Sequence, residues 1–297
     1  MKSLTKALDN HRLVVVVGAG VTLNATATED GQILEQLSWK GLIKDGLRYL
    51  VEEGFTDNTN LRIRKAYQLL EGEDNESLLD AADKLKRSLE QYHQFPTWLF
   101  SVFGHLKDRI SHPAVLYALK GLHNRGATLV TTNYDDLLEV TCGLSRISRS
   151  SKEDLLKFNS GDLDGVFHIH GSYDDPPNVV LNSIDYYVVQ NDDDARETMK
   201  SFFMHKTILF VGCGSGLEDP NFETLLNWAQ ERYKHIANRH VLLLRDQDRP
   251  SEKLNFLLRA RCGGPEWDGL TPFLNELLQS SQASQNSGQG GERAPSE

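Results

Sequence analysis

The sequence predicts an α/β fold in which a doubly wound parallel sheet is interrupted by a helical module. Short aliphatic runs without polar alternation, such as residues 13–17, are typical of parallel strands buried on both faces. Most of these runs precede a stretch in which apolar residues recur at helical spacing, as βαβ units require. Residues 31–124 contain no confident strand, and their apolar residues follow helical spacing. The helical module is therefore expected at about residues 31–124.

In chain order, the elements begin with a short helix and the first strand. The predicted strands occupy residues 13–17, 127–131, 166–169, 207–211 and 240–244. The predicted helices occupy residues 4–10, 43–50, 78–92, 97–109, 137–140, 222–233 and 254–258, and one more begins near residue 113. Residues 281–297 are rich in Ser, Gln and Gly and contain no branched aliphatic or aromatic residue. They cannot bury enough surface to offset the entropy of ordering, so a disordered tail or linker is expected after a domain of residues 1–280.

Charge and hydropathy limit the partners of the chain. Its 42 acidic and 32 basic residues give a net charge of −10 with neutral histidines. Nucleic acids and anionic membrane surfaces both attract positively charged surfaces, so neither is expected as a partner. No apolar stretch approaches the roughly 20 residues that span a bilayer, and the first residues lack the pattern of a signal peptide. A cytoplasmic protein is expected.

The cysteines argue against a zinc module. Cys142, Cys213 and Cys262 are the three in the chain, and no CxxC pair occurs. Three thiols cannot form a four-cysteine zinc site, and so few thiols suit a reducing compartment. No metal site is expected.

Two glycine-rich turns follow predicted strands. Gly18-Ala19-Gly20 comes directly after the first strand, and Gly212-Cys213-Gly214-Ser215-Gly216 comes after the fourth. Glycines at such turns let a diphosphate approach backbone amides, and two turns in one sheet suit a ligand with extended phosphates. For the first turn, a role without any ligand is the alternative, because Leu23 stands where the dinucleotide fingerprint needs glycine. Cys213 is either a nucleophile or, with no charged neighbour in sequence, a small packed thiol.

Two further strand ends carry polar side chains where ligands enter an open α/β sheet. The second strand ends in Thr131-Thr132-Asn133-Tyr134-Asp135-Asp136. Capping the next helix is an alternative role for Asp135 or Asp136, whereas Asn133 adds more polarity than a cap requires. The third strand carries His168 and His170 on one face. His168 lies deeper and is expected to be a hydrogen-bonded core histidine, while His170 stands at the strand end, where a base reaches a ligand. No third zinc ligand lies nearby in sequence.

Taken in this order, the four segments resemble the sirtuin-like superfamily over about residues 13–245. The resemblance is to its zinc-free branch of NAD-hydrolysing immune effectors, such as the Thoeris-type antiphage proteins. Ser38-Trp39-Lys40-Gly41-Leu42 also resembles related sirtuin-like chains of animals. The fold implied is a Rossmann-like parallel sheet with the inserted helical module. Deacylases of the same superfamily carry a Cys-rich zinc module and an acidic-Phe-Arg segment after the first turn, where this chain has Leu23-Asn24-Ala25-Thr26.

The resemblance implies a role for each candidate site residue. The first NAD-binding turn would comprise Gly18, Ala19, Gly20, Val21 and Thr22. Asn133 and His170 would be catalytic, Asp135 would bind the nicotinamide carboxamide, and the adenosine half would lie against Gly212, Gly214 and Ser215. NAD is then the substrate, no zinc is used, and water replaces acyl-lysine as the acceptor.

The implied reaction is hydrolysis of the nicotinamide–ribose bond to nicotinamide and ADP-ribose. The nicotinamide of NAD is cationic and leaves as a neutral base, so the barrier lies in forming an oxocarbenium-like ribose. His170, with an ordinary pKa near ~6.5, suits the removal of a proton from water or from a ribose hydroxyl. An immune-type effector regulated by self-assembly into a homo-oligomer or filament is expected. The alternatives are a sensor that binds NAD or ADP-ribose without turnover, and an assembly scaffold.

Overall fold

Seven parallel strands form one sheet in the computed structural model, which describes residues 1–28, 30–72, 74–214, 231, 240–249, 252–264 and 268–288. The strands lie in the order β3-β4-β2-β1-β5-β6-β7. Their bounds are Leu13–Val17 for β1, Thr128–Thr131 for β2, Ser145–Ser148 for β3, Gly165–His168 for β4, Thr207–Val211 for β5, Val241–Leu244 for β6 and Leu258–Arg261 for β7. The α/β fold class with a Rossmann-like parallel sheet is confirmed.

Helices cover both faces of this sheet. They are α1 Lys2–Asp9, α2 Ala19–Ala25, α3 Trp39–Glu52, α4 Leu61–Leu70, α5 Asn75–Gln91, α6 Phe95–Phe103, α7 Ala114–Asn124, α8 Leu137–Cys142, α9 Lys152–Ser160, α10 Ser183–Gln190, α11 Asp193–His205 and α12 Leu270–Gly288. Alternate residues of β1 point to opposite faces, so Val15 and Val17 join one core and Val14 and Val16 the other. The first core contains α1, α3 to α7 and α12, and the second contains α11. None of the helices in the described ranges is long and apolar enough to cross a membrane.

The central strand β1 marks the switch point of the sheet. It pairs with β2 on one side and with β5 on the other, in the register Val17–Thr131 and Val17–Val211. The chain leaves β1 toward β2 and leaves β5 toward β6, so the turns after β1 and β5 diverge from adjacent strand ends. A crevice at the carboxyl ends of such strands is where ligands bind in open α/β sheets.

The helical module, residues 39–124, packs around the indole of Trp98. This side chain is fully buried, and its Nε1 donates a hydrogen bond of 3.1 Å to Asp45 Oδ2 on α3. A Cβ at Gly46 would lie under 3.0 Å from atoms of Leu85 and Trp98, so glycine lets α3 approach α5 and α6 closely. Between β1 and β2 the described residues contain helices and no strand.

The structure departs from the predicted elements at the sheet edges and near the carboxyl end. The chain forms β3 and β7 where no strand is predicted, and β7 begins at Leu258, within the helix predicted around residues 254–258. Helix α12 continues to Gly288, through eight residues of the segment expected to be disordered, because its apolar residues Leu270, Leu274 and Leu277 anchor it on the core. The helix predicted at 222–233 lies outside the described residues except for residue 231, as do residues 289–297.

Candidate functional site

A cavity of about 590 Å³ opens at the carboxyl ends of the central strands. It is lined on one side by the turns after β1, β2, β4 and β5, and on the other by the helical module. The predicted site residues that line it are Gly18, Ala19, Gly20, Thr22, Asn133, Asp135, His170, Gly212 and Gly214. The four sequence segments are thus brought together at the switch point.

One of the predicted binding residues, Val21, does not line this cavity in the structure. Val21 is 1% exposed and belongs to the hydrophobic core, because the first turn of α2 directs its side chain inward. Its backbone N–H donates to the carbonyl of Gly18. Ser215 lies outside the described residues.

The two glycine turns are in direct contact. Gly18 N donates to Val211 O at 2.9 Å, and Gly20 N donates to Gly212 O at 2.8 Å. A Cβ at Gly18 would lie 2.7 Å from the Cα of Cys213, so no larger residue fits without a shift of backbone. The amides of Gly18, Gly20 and Val21 are engaged within the fold.

Substituting Gly212 tests this close approach. Its φ is +67°, and a Cβ there would lie 2.7 Å from Val21 N. Gly143, with φ +74° and nothing within 4 Å of an added Cβ, is the matched control. Both alanine variants incur about 1 to 2 kcal/mol of backbone strain, and Gly212→Ala is expected to lose a further 1 to 3 kcal/mol, roughly, from the steric clash. Urea denaturation measures the difference, and equal losses would contradict the contact.

Thr22, Asn133 and Asp135 form a hydrogen-bonded cluster between the first two turns. Thr22 Oγ1 donates to Asp135 Oδ2 at 2.7 Å and accepts from Asn133 Nδ2 at 2.9 Å. The other carboxylate oxygen of Asp135 accepts from the N–H of Leu137 at 3.2 Å, in the first turn of α8. Asp135 therefore accepts from the first amide of α8 as well as belonging to the cluster, although the N-cap position itself is Asp136, whose side chain makes no cap hydrogen bond.

Burial raises the pKa of Asp135 from 3.8 to about 6. Because the folded state then holds this proton more tightly than the unfolded state, the carboxyl favours folding below pH 3.8, and this contribution is lost as the pH rises to about 6. As the pH rises from 3.8 to about 6, the unfolding free energy of the wild-type chain is expected to fall by about 3 kcal/mol relative to that of Asp135→Asn. Urea denaturation of both proteins at pH 4 and pH 7 checks this, and a difference that does not change with pH would contradict it.

The two histidines at the end of β4 occupy different environments. His168 is fully buried, and its ring nitrogens face the carbonyl of Gly171 at 3.2 Å and the carboxylate of Glu139. His170 lines the cavity, is 4% exposed, and contacts the ring of Tyr186 edge-on at 5.8 Å between centroids. His170 is thus the histidine placed to meet a ligand.

Several cavity residues were not assigned to the site from the sequence. Lys40 and Arg245 are the cations among the described lining residues, and Asp135 is the acid. Arg245 is paired with Asp248 at 2.8 Å, so Lys40 is the cation that supplies local positive charge for an anionic ligand within a chain of net charge −10. Cys213 also lines the cavity, and its thiol contacts the carbonyls of Val16 and Val211, which favours the packed thiol over the nucleophile.

A family model described as a SIR2-like domain matches residues 127–261. This part of the chain is therefore similar to SIR2-like domains. Defense-associated sirtuin 2 of Bacillus subtilis is 30% identical to it over 187 residues, which make up 58% of this chain and 18% of that relative. The chain therefore spans less than a fifth of the length of the curated relative that it matches.

The SIR2-like match runs from the residue before β2 to the end of β7. It includes Asn133, Asp135, His170 and Gly212, whereas the turn after β1 and the helical module precede it. SIR2-like domains use NAD, and the cavity volume falls within the range of about 300 to 1,000 Å³ found for small-molecule sites. The described residues contain no group of three or more His, Cys, Asp or Glu side chains placed to hold a metal ion.

Proposed function

We propose that the chain is an NAD glycohydrolase, which cleaves the nicotinamide–ribose bond to give nicotinamide and ADP-ribose. The observation that carries the proposal is the convergence of His170, the Thr22–Asn133–Asp135 cluster and two glycine turns on one cavity. The SIR2-like match supports NAD as the ligand. Lys40 adds positive charge that suits a diphosphate.

Each residue has a distinct task in this reaction. One water molecule and NAD yield nicotinamide, ADP-ribose and one proton: the water oxygen bonds to the ribose carbon, and the electrons of the broken C–N bond go to nicotinamide. Since the nicotinamide of NAD is cationic, it leaves without a general acid. His170 accepts the proton from the water or from a ribose hydroxyl. Asn133 orients the ribose or the water, and Asp135 accepts a hydrogen bond from the carboxamide.

One wall of the cavity is apolar. Leu37, together with Trp39, Leu42 and Phe103 of the helical module, lies across from the polar turns. Such a lining excludes bulk water around the reacting bond and strengthens the polar interactions at the other wall. An acyl-lysine cleft is not part of the proposal.

A role in defence extends the proposal, supported by the name of the Bacillus relative. We propose an intracellular effector whose activity depends on self-assembly. Ile184, Tyr187 and Val188 on α10 are each more than half exposed, and such apolar surface suits contact between copies. Analytical ultracentrifugation at several concentrations, with nicotinamide release measured in parallel, tests whether activity follows assembly.

The deciding assay incubates the purified chain, dilute and concentrated, with NAD and separates the products by chromatography. Equimolar nicotinamide and ADP-ribose are expected. Thermal stabilisation by NAD without release of nicotinamide under any assembly state would instead identify a sensor. Filaments or rings that form regardless of nucleotide, again without release, would identify a scaffold.

A further inference from the structure

Residues 179–186, here called the bridging segment, run from the end of the loop that follows β4 through the first turn of α10. On the sheet side, Val180 N donates to the carbonyl of His170 at 2.9 Å. The hydroxyl of Tyr134 donates to the carbonyl of Val180 at 2.6 Å. The bridging segment is therefore held directly against the backbone of His170.

On its other side, the bridging segment is held by α5 of the helical module through a buried ion pair. Lys86 Nζ lies 2.6 Å from Asp185 Oδ1, and the two side chains are only 8% and 16% exposed. The second oxygen of Asp185 accepts from the amides of Leu181 and Asn182. Lys86 also lies over the ring of Phe95, 5.0 Å from its centroid. Both charges are therefore held in one geometry.

A second polar contact joins the same two elements. The carboxylate of Asp83, one turn before Lys86 on α5, accepts hydrogen bonds from the amide and hydroxyl of Ser183 at 2.7 to 3.0 Å. The first turn of α10 is thus attached to α5 at two points.

The residue after Asp185 reaches the cavity. Tyr186 lines it, and its ring meets that of His170 edge-on, at an interplanar angle of 85°. Tyr186 also packs with Val180 and Val189 against Trp39 of α3. The orientation of His170 is therefore set from the backbone side and from the ring side by one segment, which the module holds.

We propose that Lys86 and Asp185 form a positioning pair, through which the helical module orients the imidazole of His170; this inference rests on the proposed function. Burying two charges incurs a desolvation cost that can exceed their attraction, so such a pair is better suited to fixing geometry than to adding stability. Proton transfer requires the base within hydrogen-bond reach of its partner, and small misplacements slow a reaction strongly. Neither residue touches the reacting atoms.

The kinetic test compares Lys86→Met with Arg125→Met. Arg125 is a matched control, because its partly buried guanidinium joins α7 to Asp9 and Ser281, away from the cavity. We expect Lys86→Met to lower kcat for nicotinamide release at least tenfold, roughly, with little change in KM. Lys86→Arg should restore most of the rate, and Arg125→Met should lower the melting temperature alone. An unchanged kcat in Lys86→Met, or equal losses in both methionine variants, would overturn the proposal.

A second readout does not depend on turnover. With ¹³C- and ¹⁵N-labelled histidine, the ring signals of His170 are assigned from the spectrum of His170→Gln. Lys86→Met is expected to shift these signals, because the edge-on ring of Tyr186 moves, whereas Arg125→Met is not. Signals that stay in place in Lys86→Met overturn the positioning role; a wild-type chain that releases no nicotinamide overturns the proposed function alone. If Lys86→Met does not fold, Asp83→Ala at the same junction takes its place in both measurements.

Discussion

Nicotinamide release from NAD is expected to fall by about 10²- to 10⁴-fold when His170 is replaced by glutamine. Glutamine is similar in size and forms hydrogen bonds, but it takes up no proton near neutral pH. His170 lies at the cavity wall and is 4% exposed. No other histidine of the described residues lines the same cavity to replace it. The measurement is the initial rate of nicotinamide formation, followed by chromatography.

The control for this variant is His105→Gln. His105 is not among the residues that line the cavity, and its side chain is 68% exposed. Its variant should keep the wild-type rate. His170→Gln should also keep its thermal stabilisation by NAD, because the glycine turns, Asn133 and Asp135 are unchanged. Equal rates in wild-type and His170→Gln proteins would remove His170 from the mechanism.

The largest loss of stability is expected from Glu139→Ala. Glu139 on α8 faces Nε2 of the fully buried His168, whose Nδ1 faces the carbonyl of Gly171. The carboxylate and the carbonyl thus hold the buried ring from both of its nitrogens. Removing the carboxylate leaves His168 buried without that partner, which costs about 3 to 5 kcal/mol. Urea denaturation at pH 7 measures the loss.

Glu139→Gln separates the hydrogen bond from the charge. The amide of glutamine keeps a hydrogen-bonding group beside Nε2 of His168 and removes the carboxylate charge. This variant should therefore retain most of the stability lost in Glu139→Ala. Similar unfolding free energies for Glu139→Ala and wild-type proteins would show that the pair contributes little to holding the turn that follows His170.

Sequence patterning identified the central strands of the sheet and missed its edges, for a physical reason. Each central strand is buried on both faces and must be a continuous aliphatic run, as β1 and β5 are. Strand β7 reads Leu-Arg-Ala-Arg and is mostly exposed, and Ile147 is the only buried residue of β3. Edge strands are short and polar because one side has no partner, so their sequences resemble loops.

The candidate site was predictable where it depends on strand ends. Parallel strands place their carboxyl ends at one edge, so Asn133, Asp135 and His170 could be expected to meet. The sequence could not show that the side chain of Val21 points into the core and not into the cavity, because the direction of a side chain in the first turn of a helix depends on packing. Trp39 and Tyr186 reach the cavity from distant elements, and neither is adjacent to a glycine turn or strand end that would have marked it.

The central position of β1 has a consequence for the synthesis of the chain. Val14 pairs with Thr128 and with Ile208, so the strand made first waits for partners that leave the ribosome much later. Such long-range parallel pairing gives a high contact order and slow folding. Gly212 lines the cavity and directly follows β5, so this part of the cavity wall is absent until β5 has been synthesised. The cavity at the switch point is therefore completed only after β2 and β5 have both paired with β1.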